Sequence, residues 1–406
     1  MRTSTRRALA ALTATTAALL LAPGLAAAKP VQFPVRGYVA AEVAAQLQTA
    51  LPARFTPLVP QRVLDTRTAG GPVGPGGTTT LDLSARVPAG ASAVVLNLTA
   101  LTGAEGGFVT AYPAGTGRPQ VSNLNAPAGS VRPNAVTVAL GATRAVTLYN
   151  QAGNTHLVVD LAGYYKPATG SYYTATTPTR VLDTRQSAAV GPREVVAVAT
   201  GVPAGATAVT LTVTGIGGAA GTYVTAYPGG SARPEASNLN LAPGQVAANL
   251  VTVPVGPGGR VDLFNLAGST HLVVDVAGFY TPGGGSEFTP LAPFRVGDTR
   301  DAGSAALARD TTAYLPFYDF LPEGTTAVAF TLTGTAPTAG TYLTAAPTGA
   351  ARPLASNLNL APGETAANLA VVALNPYREL DIYNFAGSTH AIVDLAGFFG
   401  PATAQG

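Results

Sequence analysis

Ser122, His156 and Asp160 are the residue types of a nucleophile, a base and an orienting acid, and the set returns as Ser237, His271, Asp275 and as Ser356, His390, Asp394. Acyl transfer by such a set needs the three side chains within hydrogen-bond reach of one another. His156 and Asp160 stand four residues apart in a run that reads as a strand, which points them to one face but separates them by about 13 Å. No Gly-x-Ser-x-Gly elbow precedes the serine. A site repeated three times is also unusual for a catalyst, so the sequence is read as a non-enzyme with no catalytic residues, an extracellular hydrolase being the minor alternative.

Other chemistries fit less well. Asp65 and Asp160 could form a glycosidase carboxylate pair, but the recurring Arg67 beside Asp65 would keep it ionised and leave no general acid. One histidine per copy is too few for a typical zinc site, and with no cysteine in the chain there is neither a thiol nucleophile nor a thiolate ligand. Asp65, Asn123, Asn125 and Asp160 are oxygen donors of the kind that suits calcium. No metal site or cofactor is therefore expected, calcium being the one candidate cation.

Two further groupings are clearer. Arg62, Asp65, Arg67, His156 and Asp160 recur as Arg180, Asp183, Arg185, His271 and Asp275 and as Arg295, Asp298, Arg300, His390 and Asp394. Buried charges must be paired and arginine pairs carboxylates bidentately, so these are read as a polar network pinning a first strand to a last one. A loop carrying Tyr112, Arg118, Ser122, Asn123 and Asn125 returns as Tyr227, Arg233, Ser237, Asn238 and Asn240, and then as Arg352, Ser356, Asn357 and Asn359. Tyrosine stacking with arginine, serine and asparagine hydrogen bonding would suit a sugar or a peptide carboxylate; the alternative is a structured turn that satisfies its own backbone.

These residues lie in three long repeats. Arg62-Val-Leu-Asp-Thr-Arg67 returns 118 residues later at Arg180 and, as Arg-Val-Gly-Asp-Thr-Arg, 115 residues after that at Arg295. A period of that length is a domain rather than a solenoid turn. Inside each copy, short β-branched runs such as Ala93-Val-Val-Leu-Asn-Leu-Thr99 alternate with glycine, proline and asparagine. The expected fold is all-β: three tandem antiparallel β-sandwich domains of about 110 residues, jelly-roll or immunoglobulin-like. The expected boundaries are 54–166, 172–282 and 287–402, joined by short linkers, the second flexible. Residues 29–53 read as a tether or short helix, and 1–28, with Arg2, Arg6 and Arg7 before an apolar run that ends in Ala26-Ala27-Ala28, as a secretory signal.

The repeat resembles one found in secreted proteins of high-GC Gram-positive bacteria, in which an Arg-Val-Leu-Asp-Thr-Arg strand pairs with a closing His-x-x-x-Asp-x-x-Gly-Tyr/Phe segment, here from His156. The resemblance spans nearly the whole chain beyond residue 28 and implies an all-β accessory module and its location, not a reaction. The third copy departs at Gly297, where the others carry Leu64 and Leu182, and at Ala346, where they carry Tyr112 and Tyr227, which reads as a degraded copy.

Without Arg2, Arg6 and Arg7 the 23 basic residues fall to 20, matching 20 acidic ones. Nothing basic is then clustered to neutralise phosphates, and no later run is long enough to span a bilayer. The expected protein is secreted, extracellular or wall-associated, with neither nucleic acid nor membrane span. It is expected to be a multivalent adhesion module for cell-wall or other glycan or a protein partner, with a structural spacer or surface coat as the alternative.

Overall fold

Strand runs bounded by turn residues leave the backbone little choice but extended pairing. The computed structural model describes residues 31–401, so the signal expected at 1–28 lies outside the described residues. The first strand, β1 (Val31–Gln32), and a single helix, α1 (Val39–Leu47), precede the repeats. The first repeat holds β2 (Arg54–Asp65), β3 (Thr78–Asp82), β4 (Ala93–Thr102), β5 (Gly107–Pro113), β6 (Leu124–Ala126), β7 (Val131–Ala139), β8 (Ala145–Asn150) and β9 (Thr155–Lys166). They form two antiparallel sheets of order β2-β9-β4-β7 and β3-β8-β5-β6. Successive strands thus mostly alternate between sheets, and the other two repeats reproduce both orders. Leu96, Leu98, Val109, Val136, Leu148 and Val159 share one apolar cluster across the two sheets.

The expectation of three tandem β-sandwich domains is corrected by this arrangement. The chain is an all-β array of six small sheets, disposed in the manner of a six-bladed propeller, and it closes on a core that no single repeat owns. Six buried aromatic rings make that core a closed circuit. Phe55 lies 5.0 Å from Tyr165, Tyr165 4.5 Å from Phe288, Phe288 4.9 Å from Phe399, Phe399 4.4 Å from Tyr173, Tyr173 4.8 Å from Tyr280, and Tyr280 4.5 Å from Phe55. All are tilted pairs, the geometry aromatic quadrupoles favour. Each repeat contributes one ring from its first strand and one from its last. Gly163, Gly278 and Gly397, the glycines of the closing motif, lie against the rings of Phe55, Tyr173 and Phe288, and a Cβ there would collide with them.

The joints between repeats are fixed rather than flexible. Phe55 and Ser171 exchange backbone hydrogen bonds at 2.9 and 2.8 Å, as do Tyr173 and Ser286, and Phe288 and Ala53 complete the cycle at 2.8 Å in both directions. The stretch expected to be a flexible linker, Thr281–Ser286, is therefore tied down at its end.

The N-terminal segment docks on the third repeat although it leads into the first. β1 pairs parallel with Thr311–Pro316, and Phe33, Val39 and Val43 are fully buried in the third repeat's core. Arg36 donates two 2.8 Å bonds to the Asp301 carboxylate, while Gln46 of α1 bonds the backbone of Ala292 in both directions. Gly297 is explained by this contact. It bridges to Val35, and a Cβ there would strike the carbonyl of Pro34 and the ring of Phe33 at 2.8 Å. The glycine is a fit to the docked segment, not a lesion.

Candidate functional site

The first strand of each repeat brings its Arg-x-x-Asp-x-Arg motif beside the aspartate of the last strand. Arg62 donates to Asp160 through Nε at 2.6 Å and Nη2 at 3.4 Å, and through Nη1 to Asp65 at 3.1 Å. Arg180 holds Asp275, and Arg295 holds Asp394, in the same way. These three aspartates are buried. Burial pushes the Asp160 and Asp394 carboxyls up, against the opposing pull of Arg62 and Arg295.

Asp65 is different, because Arg67 grips it with its backbone N–H at 3.1 Å and with Nε and Nη2 at 2.8 and 2.6 Å. The guanidinium holds that carboxyl at about 2. A folded value below the unfolded one means that the pair's stabilisation is present above about pH 4 and is lost as pH falls through the folded value. Arg67→Gln should return Asp65 towards the ordinary carboxylate range, read by NMR titration of its carboxyl; an unmoved titration would show that another group holds it.

The serine, histidine and aspartate weighed as a nucleophile, base and acid each bond a different internal partner. Ser122 Oγ donates to Asn125 Oδ1 at 3.1 Å, His156 Nδ1 lies 3.1 Å from Thr66 Oγ1, and Asp160 is held by Arg62. His271 and His390 meet Thr184 and Thr299 in the same manner. The calcium candidates are likewise spent on internal partners, and among the described residues no group of three or more His, Cys, Asp or Glu could hold a metal.

What the recurrent residues do is join neighbouring repeats. Arg62 Nη2 reaches the Glu235 carbonyl at 3.1 Å and Asn97 the Ser237 carbonyl at 2.7 Å; Arg180 reaches the Leu354 carbonyl at 2.8 Å; Asp394 accepts from the Ser122 N–H at 3.4 Å. The strand motif of each repeat therefore meets the Ser-Asn-Leu-Asn loop of the next, cyclically. Near the centre, Asn134, Asn249 and Asn368 complete a second cycle. Their carbonyls accept from Leu369, Ala135 and Leu250, each in another repeat, at 3.0, 2.9 and 3.2 Å, and their amides donate to the carbonyls of Asn123, Asn238 and Asn357.

The loop residues expected to bind divide sharply. Asn123, Asn238 and Asn357 are buried and accept from the N–H of Ala111, Ala226 and Ala345. Tyr112 and Tyr227 are buried too, as is Ala346. Arg118, Arg233 and Arg352 instead lie over Tyr149, Phe264 and Tyr383, 4.3, 3.9 and 3.9 Å from the ring centroids. These platforms escaped the sequence reading, although an aromatic stands before Asn150, Asn265 and Asn384 in every repeat.

Cavities open along the seams. One of about 390 Å³ is lined by Arg67 of the first repeat and by Arg233, Ser237 and Asn240 of the second. Its counterpart, about 220 Å³, is lined by Arg300 of the third repeat and by Arg118, Ser122 and Asn125 of the first. Arg67 and Arg300 are paired with Asp65 and Asp298, and Glu235 lines the first cavity as well, so the charge each cavity offers an anion comes from Arg233 or Arg118, with hydroxyl and amide groups beside it.

No protein-family model and no curated protein matches the chain. Among solved structures it is similar to a chain from the atomic structure of Sulfolobus Turreted Icosahedral Virus, at 9% identity over 92% of this chain and 99% of the viral one, with a TM-score of 0.19. A second, from work on the triple jelly roll fold and turret assembly in an archaeal virus, gives 9%, 92%, 98% and 0.18. Scores this low carry no argument. Among the described residues no helix is long and apolar enough to cross a membrane.

Proposed function

We propose that this protein is a secreted, non-catalytic binding module that works at the cell surface or in the extracellular space and holds anionic groups of cell-wall or other glycans. The observation that supports it most is that each cavity carries one guanidinium outside any ion pair found among the described residues, Arg233 over Phe264 and Arg118 over Tyr149, facing Arg67 and Arg300, which are held by Asp65 and Asp298. The ring holds these cavities at fixed separation, so a polymer that engages one presents its next anionic group to the other at high effective concentration. Catalysis has no supporting set, since the serine, histidine and aspartate of each repeat are spent on separate internal partners.

The test is co-pelleting with peptidoglycan and with insoluble anionic and neutral polysaccharides. Saturable pelleting with an anionic polymer, weakened on the order of tenfold or more in the R118Q/R233Q double variant, is the expected result. Pelleting that the double variant leaves unchanged, or no pelleting at all, would contradict it. The second outcome would favour a structural spacer or coat, a reading that the cyclic use of the recurrent residues also accommodates.

A further inference from the structure

A further cavity adjoins the seam of the third and first repeats, sharing Asn125 and Thr365 with the cavity there but none of its arginines. It is a cleft of about 960 Å³ that opens where all three repeats meet, lined by Asn125 and Arg132 of the first, Gln245 of the second, and Tyr342, Glu364 and Phe385 of the third. Tyr342 and Phe385 stack at 4.7 Å and 14°, and Phe385 is 43% exposed. Arg132 Nη2 donates to Glu364 Oε1 at 2.8 Å across the join.

The repeats diverge where this cleft is built. Phe385 corresponds to Gln151 and Leu266, Glu364 to Ser130 and Gln245, and Arg132 to Ala247 and Ala366. The stacked aromatic and the ion pair therefore occur together once in the ring, whereas the seam motifs occur three times.

We propose that this cleft binds a neutral oligosaccharide. A pyranose presents an apolar C–H face, which an open aromatic ring covers, and a rim of hydroxyls, which planar guanidinium, carboxylate and amide groups can bond in pairs. Arg132 and Glu364 neutralise each other, so no net charge is left to select an ion. The volume lies at the upper end of the range of small-molecule sites and admits a chain of several sugar rings. This site is independent of the seam arginines, and either assignment can fail without the other.

Titration calorimetry of the full chain with cellotetraose, chitotetraose and maltotetraose tests it. At least one should saturate at one ligand per chain, weaken about tenfold or more in Phe385→Ala, and bind unchanged to the R118Q/R233Q variant. Saturation by none of the three, a stoichiometry of three, or undiminished binding to Phe385→Ala would each overturn the proposal. Loss in R118Q/R233Q with Phe385→Ala unaffected would assign the sugar to the seams instead.

Discussion

Gly297→Leu, which gives the third repeat the residue of the other two, should expel the N-terminal segment from its groove. Even the first carbon of the new side chain meets the Pro34 carbonyl and the Phe33 ring, and backbone cannot give way as a flexible side chain would. Phe33, Val39 and Val43 would then return to solvent, each a loss of about 1.5–3 kcal/mol of burial, and Arg36 would leave Asp301. The helix Val39–Leu47 is only nine residues long, too short to persist without its docking surface. Limited proteolysis should cut within residues 31–53 in the variant at protease levels that leave the wild type intact. Protection equal to the wild type would mean that the segment is not held at Gly297.

Phe288→Ala is expected to weaken all three repeats together. Phe288 is 1% exposed and touches Tyr165 of the first repeat and Phe399 of its own, while its backbone pairs with Ala53. Removing the ring costs about 3–5 kcal/mol for the lost burial and the cavity left behind. That cavity opens into a cluster to which every repeat contributes, since Phe55, Tyr173, Tyr280 and Leu250 line the same core. The damage is therefore shared in a way that a substitution inside one repeat's own cluster, such as Leu211→Ala in the second, is not.

The strands and the three-fold repetition were legible because each rests on local information: β-branched runs, turn residues at fixed offsets, and motifs such as Arg62 to Arg67 that return intact. Closure into a ring was not. Alternation tells which face of a strand is buried but not against what, and the same Leu250 or Ala135 satisfies a private core or a shared one. One signal was present, since Ala93-Val-Val-Leu is apolar on both faces, as a strand buried on both sides must be. The candidate loop shows the same limit at single-residue scale. Asn123 and Asn125 lie two apart in one tetrapeptide, yet one is sealed against the Ala111 N–H and the other lines a cavity. Tyr112 looked like a stacking platform and is core, while Tyr149, on β8, carries Arg118.

The central claim is that the repeats make one cooperative body, and differential scanning calorimetry of the wild type and Phe288→Ala tests it most directly. The account predicts one endotherm in each, with calorimetric and van't Hoff enthalpies in agreement and the variant's whole transition moved down. Resolved transitions in the wild type, with only one of them displaced by Phe288→Ala, would contradict it and return the chain to three separate domains.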